Sequence, residues 1–104
     1  MAYEGSPVTR FARAIDHDDL LGAEIAAIEL PRLNLKDALR LVQLYAKKEH
    51  RKFERAALRW LARLIEEQSL TLDEARVACE WLRMLTGPDA DLAAGSLAAL
   101  VYRR

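Results

Sequence analysis

A chain of 104 residues, 52% apolar and 31% charged with zero net charge, is long enough to bury one core and too apolar to remain disordered. Its lone cysteine, Cys79, excludes an internal disulfide and suits a reducing compartment. The uncharged stretch from Leu92 to Tyr102 is too short and too alanine-rich to cross a bilayer, and the start of the chain lacks the basic and apolar regions of a signal peptide, so the expected location is cytoplasmic.

Helix is the state that the pattern supports throughout. Between Gly22 and Gly87 there is no glycine, Pro31 is the only proline, and no stretch alternates with period two. Residues 1–5 are expected to be disordered. Ser6-Pro7 starts the first helix, with serine as cap and proline at the first helical position, and the helix runs through Ile15. Asp16-His17-Asp18-Asp19 reads as a cap with acids in the first turn of the next helix. That second helix carries Leu20, Leu21, Ile25 and Ile28 and stops before Pro31.

Asn34 caps the third helix, with Leu33 and Ala38 placed as a hydrophobic staple. Leu35, Ala38, Leu39, Val42, Tyr45 and Ala46 form its apolar stripe, and Leu41 and Leu44 add a second flank. The polar run from Lys47 to Lys52 marks a turn, although one continuous helix from Asn34 to Glu67 is the alternative. Phe53, Ala56, Ala57, Trp60, Leu61 and Leu64 make the cleanest amphipathic face of the chain. Gln68-Ser69 interrupts it, and Thr71-Leu72-Asp73-Glu74 is a full capping box. Ala75, Ala78, Cys79, Leu82 and Leu85 follow as a stripe, with Val77, Trp81 and Met84 beside it. Thr86-Gly87-Pro88-Asp89 closes that helix and offers Asp89 as the next cap; Leu92, Ala93, Leu97, Leu100 and Val101 complete the core.

Leu33-Asn34-Leu35-Lys36-Asp37-Ala38 recurs 37 residues later as Leu70-Thr71-Leu72-Asp73-Glu74-Ala75. At the same offset Ala56-Ala57 falls on Ala93-Ala94 and Trp60 on Leu97. Repeats of this length belong to stacked helix pairs. The expected architecture is therefore all-α: a single domain over 1–104, with five or six helices in antiparallel pairs and repeat-like units at about 33–69 and 70–104. These units form either a short solenoid like the tetratricopeptide repeats or an orthogonal bundle.

Charge is segregated along the chain. Residues 1–31 carry a net −4, residues 32–63 a net +7 and residues 64–104 a net −3. The basic middle either complements the acidic ends on folding or attracts an acidic partner. Within it, Arg51, Arg55, Arg59 and Arg63 follow i, i+4 spacing, joined by Lys47, Lys48 and Lys52. On a helix this row lies largely opposite the Trp60 face, where guanidinium groups can bind carboxylates or phosphates. The two tryptophans occupy core registers, which leaves no exposed aromatic platform for nucleic-acid bases.

The remaining polar groups point to structure rather than chemistry. Asp16, His17, Asp18 and Asp19 supply too few ligands for a metal, and His50 lies far along the chain. Cys79 falls in a core stripe with no base nearby. Glu66, Glu67, Asp73 and Glu74 cluster at a polar turn. No glycine-rich loop holds a phosphate, and no cofactor is expected.

Three stretches resemble a group of small helical proteins from actinobacteria over about residues 24–88. They are Glu29-Leu30-Pro31-Arg32-Leu33-Asn34-Leu35-Lys36-Asp37-Ala38-Leu39, Phe53-Glu54-Arg55-Ala56-Ala57-Leu58-Arg59-Trp60-Leu61-Ala62-Arg63 and Leu70-Thr71-Leu72-Asp73-Glu74-Ala75. In that group a histidine often follows the tryptophan; here Leu61 does, so no histidine role carries over. The resemblance implies an all-helical fold and brings no activity, cofactor or site. The expected function is a non-enzymatic protein–protein interaction module that works through the arginine row or through an apolar groove. Its last helix offers a small-residue face for a homodimer. The alternative is a small regulatory protein that contacts nucleic acid through the same basic face.

Overall fold

A computed structural model describes residues 5–102. The expectation of disorder over residues 1–5 falls, apart from Gly5, outside the described residues. The architecture is all-α, with six helices and no strand among the described residues: α1 (Pro7–Asp16), α2 (Leu20–Glu29), α3 (Leu35–Lys47), α4 (Phe53–Gln68), α5 (Leu72–Met84) and α6 (Ala90–Val101). Residues 48–52 separate α3 from α4, so the continuous-helix alternative does not hold.

Helix starts follow the side-chain chemistry. Ser6, Asp19, Asn34 and Thr71 each accept a hydrogen bond from the amide three residues on, and Glu74 returns the bond to the Thr71 amide. Asp89 occupies the cap position of α6 but makes no side-chain cap bond. Of the acids before α2, only Asp19 is a cap: Asp16 closes α1, and Asp18 stands in the turn with a left-handed backbone.

Helix ends follow a different rule from the expected glycine stop. Asp18, Glu49 and Ser69 adopt positive φ values of 55°, 50° and 52°. Immediately after each, an amide reaches five residues back: Asp19 to the Ala14 carbonyl (2.8 Å), His50 to Tyr45 (2.9 Å) and Leu70 to Ile65 (3.1 Å). These are Schellman turns carried by non-glycine residues. Gly87 is not left-handed; its amide closes a short turn onto the Met84 carbonyl at 3.0 Å.

Sequential helices pack as three pairs, α1 with α2, α3 with α4, and α5 with α6. The second and third pairs share one core, in which Leu35, Leu39, Val42, Trp60, Leu64, Leu82 and Leu97 interlock. Trp60 is fully buried and donates from Nε1 to the Leu35 carbonyl at 2.9 Å, tying α4 to the first turn of α3. The first pair has its own smaller cluster of Phe11, Ala14, Ala23 and Ala26, joined to the rest through Leu44 of α3.

Two faces depart from expectation. In α2 the small residues Ala23 and Ala26 point inward against Phe11, while Leu21 and Ile28 are 67% and 82% exposed and Ile25 is exposed with them. Apolar residues spread round most of α2 leave no periodic signal to orient it, and close approach to α1 selects its small side. In α6, Ala93 and Leu97 are buried but Leu92 is exposed. Cys79 and Trp81 are half-buried, Trp81 packing against the main core.

Candidate interaction surface

The fold divides the basic segment into two populations. The acids of the first pair reach across to α3 and the turn after it. Asp16 pairs with Arg40 at 3.3 Å, Asp18 with Lys47, and Glu24 with Lys52 at 3.0 Å, while the Tyr45 hydroxyl also donates to Glu24. The Lys47 hydrogen bond holds Asp18 below its ordinary pKa, with Lys48 adding to the field. The Tyr45 and Lys52 donors do the same for Glu24. Burial and the nearby carboxylate push Tyr45 well above the usual phenol range. Glu29 is lowered by Arg10 on the same helix pair.

Of the seven basic residues singled out in the sequence, Lys47 and Lys52 are therefore engaged by the first helix pair, and Lys48 lies close enough to influence Asp18. Arg63 pairs with Glu67 at 3.0 Å, and Glu67 also receives Arg32 at 2.9 Å. Arg51, Arg55 and Arg59 remain: all three are exposed, and none makes an ion pair or hydrogen bond among the described residues. The row is not a single helical stripe. Arg51 stands in the turn ahead of α4, while Arg55 and Arg59 lie on its first half.

The sequence pattern hid a second component of this face. Leu58 (57% exposed), Ala62 and Ile65 (37%) run along the outer side of α4 at i, i+4, i+7, away from buried Trp60 and Leu64. Their spacing was the available signal, masked by the stronger stripe opposite. Glu54 borders this ridge near its start and Glu66 near its end, so the positive character is concentrated over the N-terminal half of α4. The partial positive charge of the helix N-terminus adds to it, and Lys52 at the cap position supplies no side-chain bond to offset it.

The other candidates take structural positions. His50 accepts the Lys52 amide at Nδ1 and lies against the Tyr45 ring, with centroids 5.5 Å apart. His17 is exposed. Among the described residues no three His, Cys, Asp or Glu side chains gather to hold a metal ion, and no helix is long and apolar enough to span a membrane. Glu74 belongs to the capping box and Glu67 to the arginines, which separates the acidic corner into independent roles. An open cleft of about 490 Å³ lies where α1, α3 and the turn before α6 meet, lined by Asp18, Arg40, Gln43, Lys47 and Asp91 among others. Its Asp18 and Lys47 already pair with each other, and its Arg40 with Asp16. On α6, Leu92, Gly95 and Ala99 are exposed, as is Tyr102 at its C-cap.

Compared with known proteins, the chain matches no family model, no curated protein and no solved structure.

Proposed function

We propose that this chain is a non-enzymatic helical interaction module that binds an acidic protein through the outer face of α4. The observation that carries this reading is the unpaired state of Arg51, Arg55 and Arg59. Elsewhere in the basic segment the fold brings carboxylates to Arg32, Arg40, Lys47, Lys52 and Arg63. Of its other cations, Lys36 and Lys48 make no ion pair among the described residues but lie off α4, so the three arginines are the unpaired guanidinium groups of the segment. Arg55 and Arg59, one turn apart on α4, repel each other, and Arg51 and Arg55 near its N-terminus also oppose its dipole. A partner's carboxylates relieve both costs.

Nucleic acid is the second reading, since phosphates also satisfy guanidinium groups. Glu54 and Glu66 flank the same face and oppose a phosphate backbone, and the ridge between them is aliphatic, without a stacking surface. The helix pairs are read as two repeat units, supported by Asn34 and Thr71 capping in the same way and by Trp60 and Leu97 being buried at matched positions. Homodimerisation through the outward side of α6 is one form of partner binding within this reading, and the cytoplasm is the compartment that suits the free Cys79 thiol.

The test is fluorescence anisotropy with labelled poly-glutamate and with duplex DNA at 50 and 200 mM salt, alongside sedimentation mass. We expect poly-glutamate to bind, to weaken as salt rises, and to be lost in the Arg55→Glu/Arg59→Glu variant while DNA binds more weakly. DNA binding tighter than poly-glutamate selects the second reading. Binding of neither removes both.

A further inference from the structure

Resting on the reading of α4 as an acidic-partner surface, we infer that the recognised element is an amphipathic α-helix. Its apolar ridge lies along Leu58, Ala62 and Ile65, and its carboxylates meet Arg51, Arg55 and Arg59. Two features of this face point to a helix rather than an extended acidic tail.

First, the exposed apolar residues recur at i, i+4, i+7, the spacing of the apolar stripe by which one helix packs on another. The small Ala62 sits between Leu58 and Ile65, where a large side chain of the partner meets the least bulk. Second, the charge is placed for a helix with one acidic flank. Arg55 and Arg59 are one turn apart along the edge of the ridge, matching carboxylates at i and i+4 on a facing helix. The helical part of this surface, from Phe53 to Ile65 of α4, is about 18 Å long at 1.5 Å per residue, the length of about 12 residues of partner helix. Because Glu66 closes the far end, the partner's acids belong over Arg51 to Arg59 and not over Ile65.

A second copy of this chain is the weaker occupant. Its α2 presents an exposed Leu21, Ile25 and Ile28 ridge of the same spacing, yet its two acids are engaged, Glu24 by Tyr45 and Lys52 and Glu29 by Arg10. It brings the apolar half of the match without the charged half.

The probe is a labelled 18-residue helical peptide with leucines at i, i+4, i+7 and i+11 and glutamates along one flank. A reordered peptide of identical composition and poly-glutamate serve as references. Against the full chain we expect the ordered peptide to bind at least about tenfold tighter than either reference. Leu58→Ser/Ile65→Ser, on exposed positions and checked for unchanged helicity by circular dichroism, abolishes that advantage and leaves poly-glutamate binding intact. Arg55→Glu/Arg59→Glu weakens all three probes. Equal binding of ordered and reordered peptides, or an advantage that survives Leu58→Ser/Ile65→Ser, overturns the helix inference while poly-glutamate binding keeps the acidic-partner reading. A ligand-free chain that sediments as a dimer, and becomes monomeric in Leu58→Ser/Ile65→Ser, shows that a second copy occupies the ridge and overturns the inference in favour of self-association. Absence of binding by all three probes removes both readings.

Discussion

Trp60 performs two tasks that separate substitutions distinguish. Its ring fills the centre of the main core, and its Nε1 group donates to the Leu35 carbonyl at 2.9 Å. Trp60→Phe removes the donor and part of the ring, so a lost hydrogen bond of about 1 kcal/mol adds to a modest cavity. The Leu35 carbonyl lies in the first turn of α3, where the helix supplies an internal amide donor, so it is not orphaned. The expected destabilisation is about 1–3 kcal/mol in urea unfolding, against about 3–5 kcal/mol for Trp60→Ala. Phenylalanine costing as much as alanine would show that the indole N–H, rather than ring volume, dominates the site. The neighbouring contrast is Leu58, two residues earlier and largely exposed: Leu58→Ser costs little stability because little apolar area is removed from the core.

At the scale of elements, starts and stops of helices obey different chemistry, and this decides what the sequence reveals. Ser6, Asn34 and Thr71 act through side-chain oxygens, so the residue names announce the caps. The Schellman turns at Asp18, Glu49 and Ser69 act through backbone conformation, and no glycine marks them. For an L-residue the left-handed conformation costs about 1–2 kcal/mol, which glycine avoids at some loss of unfolded-state entropy. Ser69→Gly should therefore raise stability by about 1 kcal/mol, read as a higher urea midpoint with an unchanged slope. Asp18 would gain less from the same change, since it would forfeit its bond to Lys47. A lower midpoint in Ser69→Gly would mean that the serine side chain stabilises the turn by more than its backbone strain costs. Helix faces follow the same logic. The Trp60 stripe was legible because one side of α4 is much the more apolar, whereas apolar residues spread round most of α2 and its orientation depends on the fit of Ala23 and Ala26 against Phe11. The arginine row was visible as spacing, but which arginines stay open depends on acids distant in sequence, and only the folded chain brings Asp18 and Glu24 to Lys47 and Lys52.

For the whole molecule, the division into two apolar clusters sets an order of unfolding. The main core joins four helices, while α1 and α2 attach through Leu44, their partly buried neighbours and a set of charged contacts to α3 and its turn. Those contacts depend on pH. Asp18 and Glu24 have folded-state pKa values below their ordinary ones, because Lys47, and Tyr45 with Lys52, bond to the ionised forms. A depressed folded pKa gives stabilisation that is present above the unfolded value, about 4 for a carboxylate, and lost as pH falls through the folded one. Acidification from pH 6 to pH 3 should thus weaken the docking of α1 and α2 while leaving the apolar packing of Trp60, Leu64 and Leu97 in place. Hydrogen exchange, corrected for intrinsic rates, reads this directly: amides of Ala23 and Ala26 lose protection at a higher pH than those of Leu64 and Leu82. In Glu24→Gln the amide still accepts from Tyr45 but carries no charge, so protection of α2 at pH 6 falls modestly and its decline below pH 4 becomes shallower. Simultaneous loss of protection in both clusters, with the same pH dependence in Glu24→Gln, would instead mean that Leu44 couples the two cores strongly enough to make the chain a single cooperative unit.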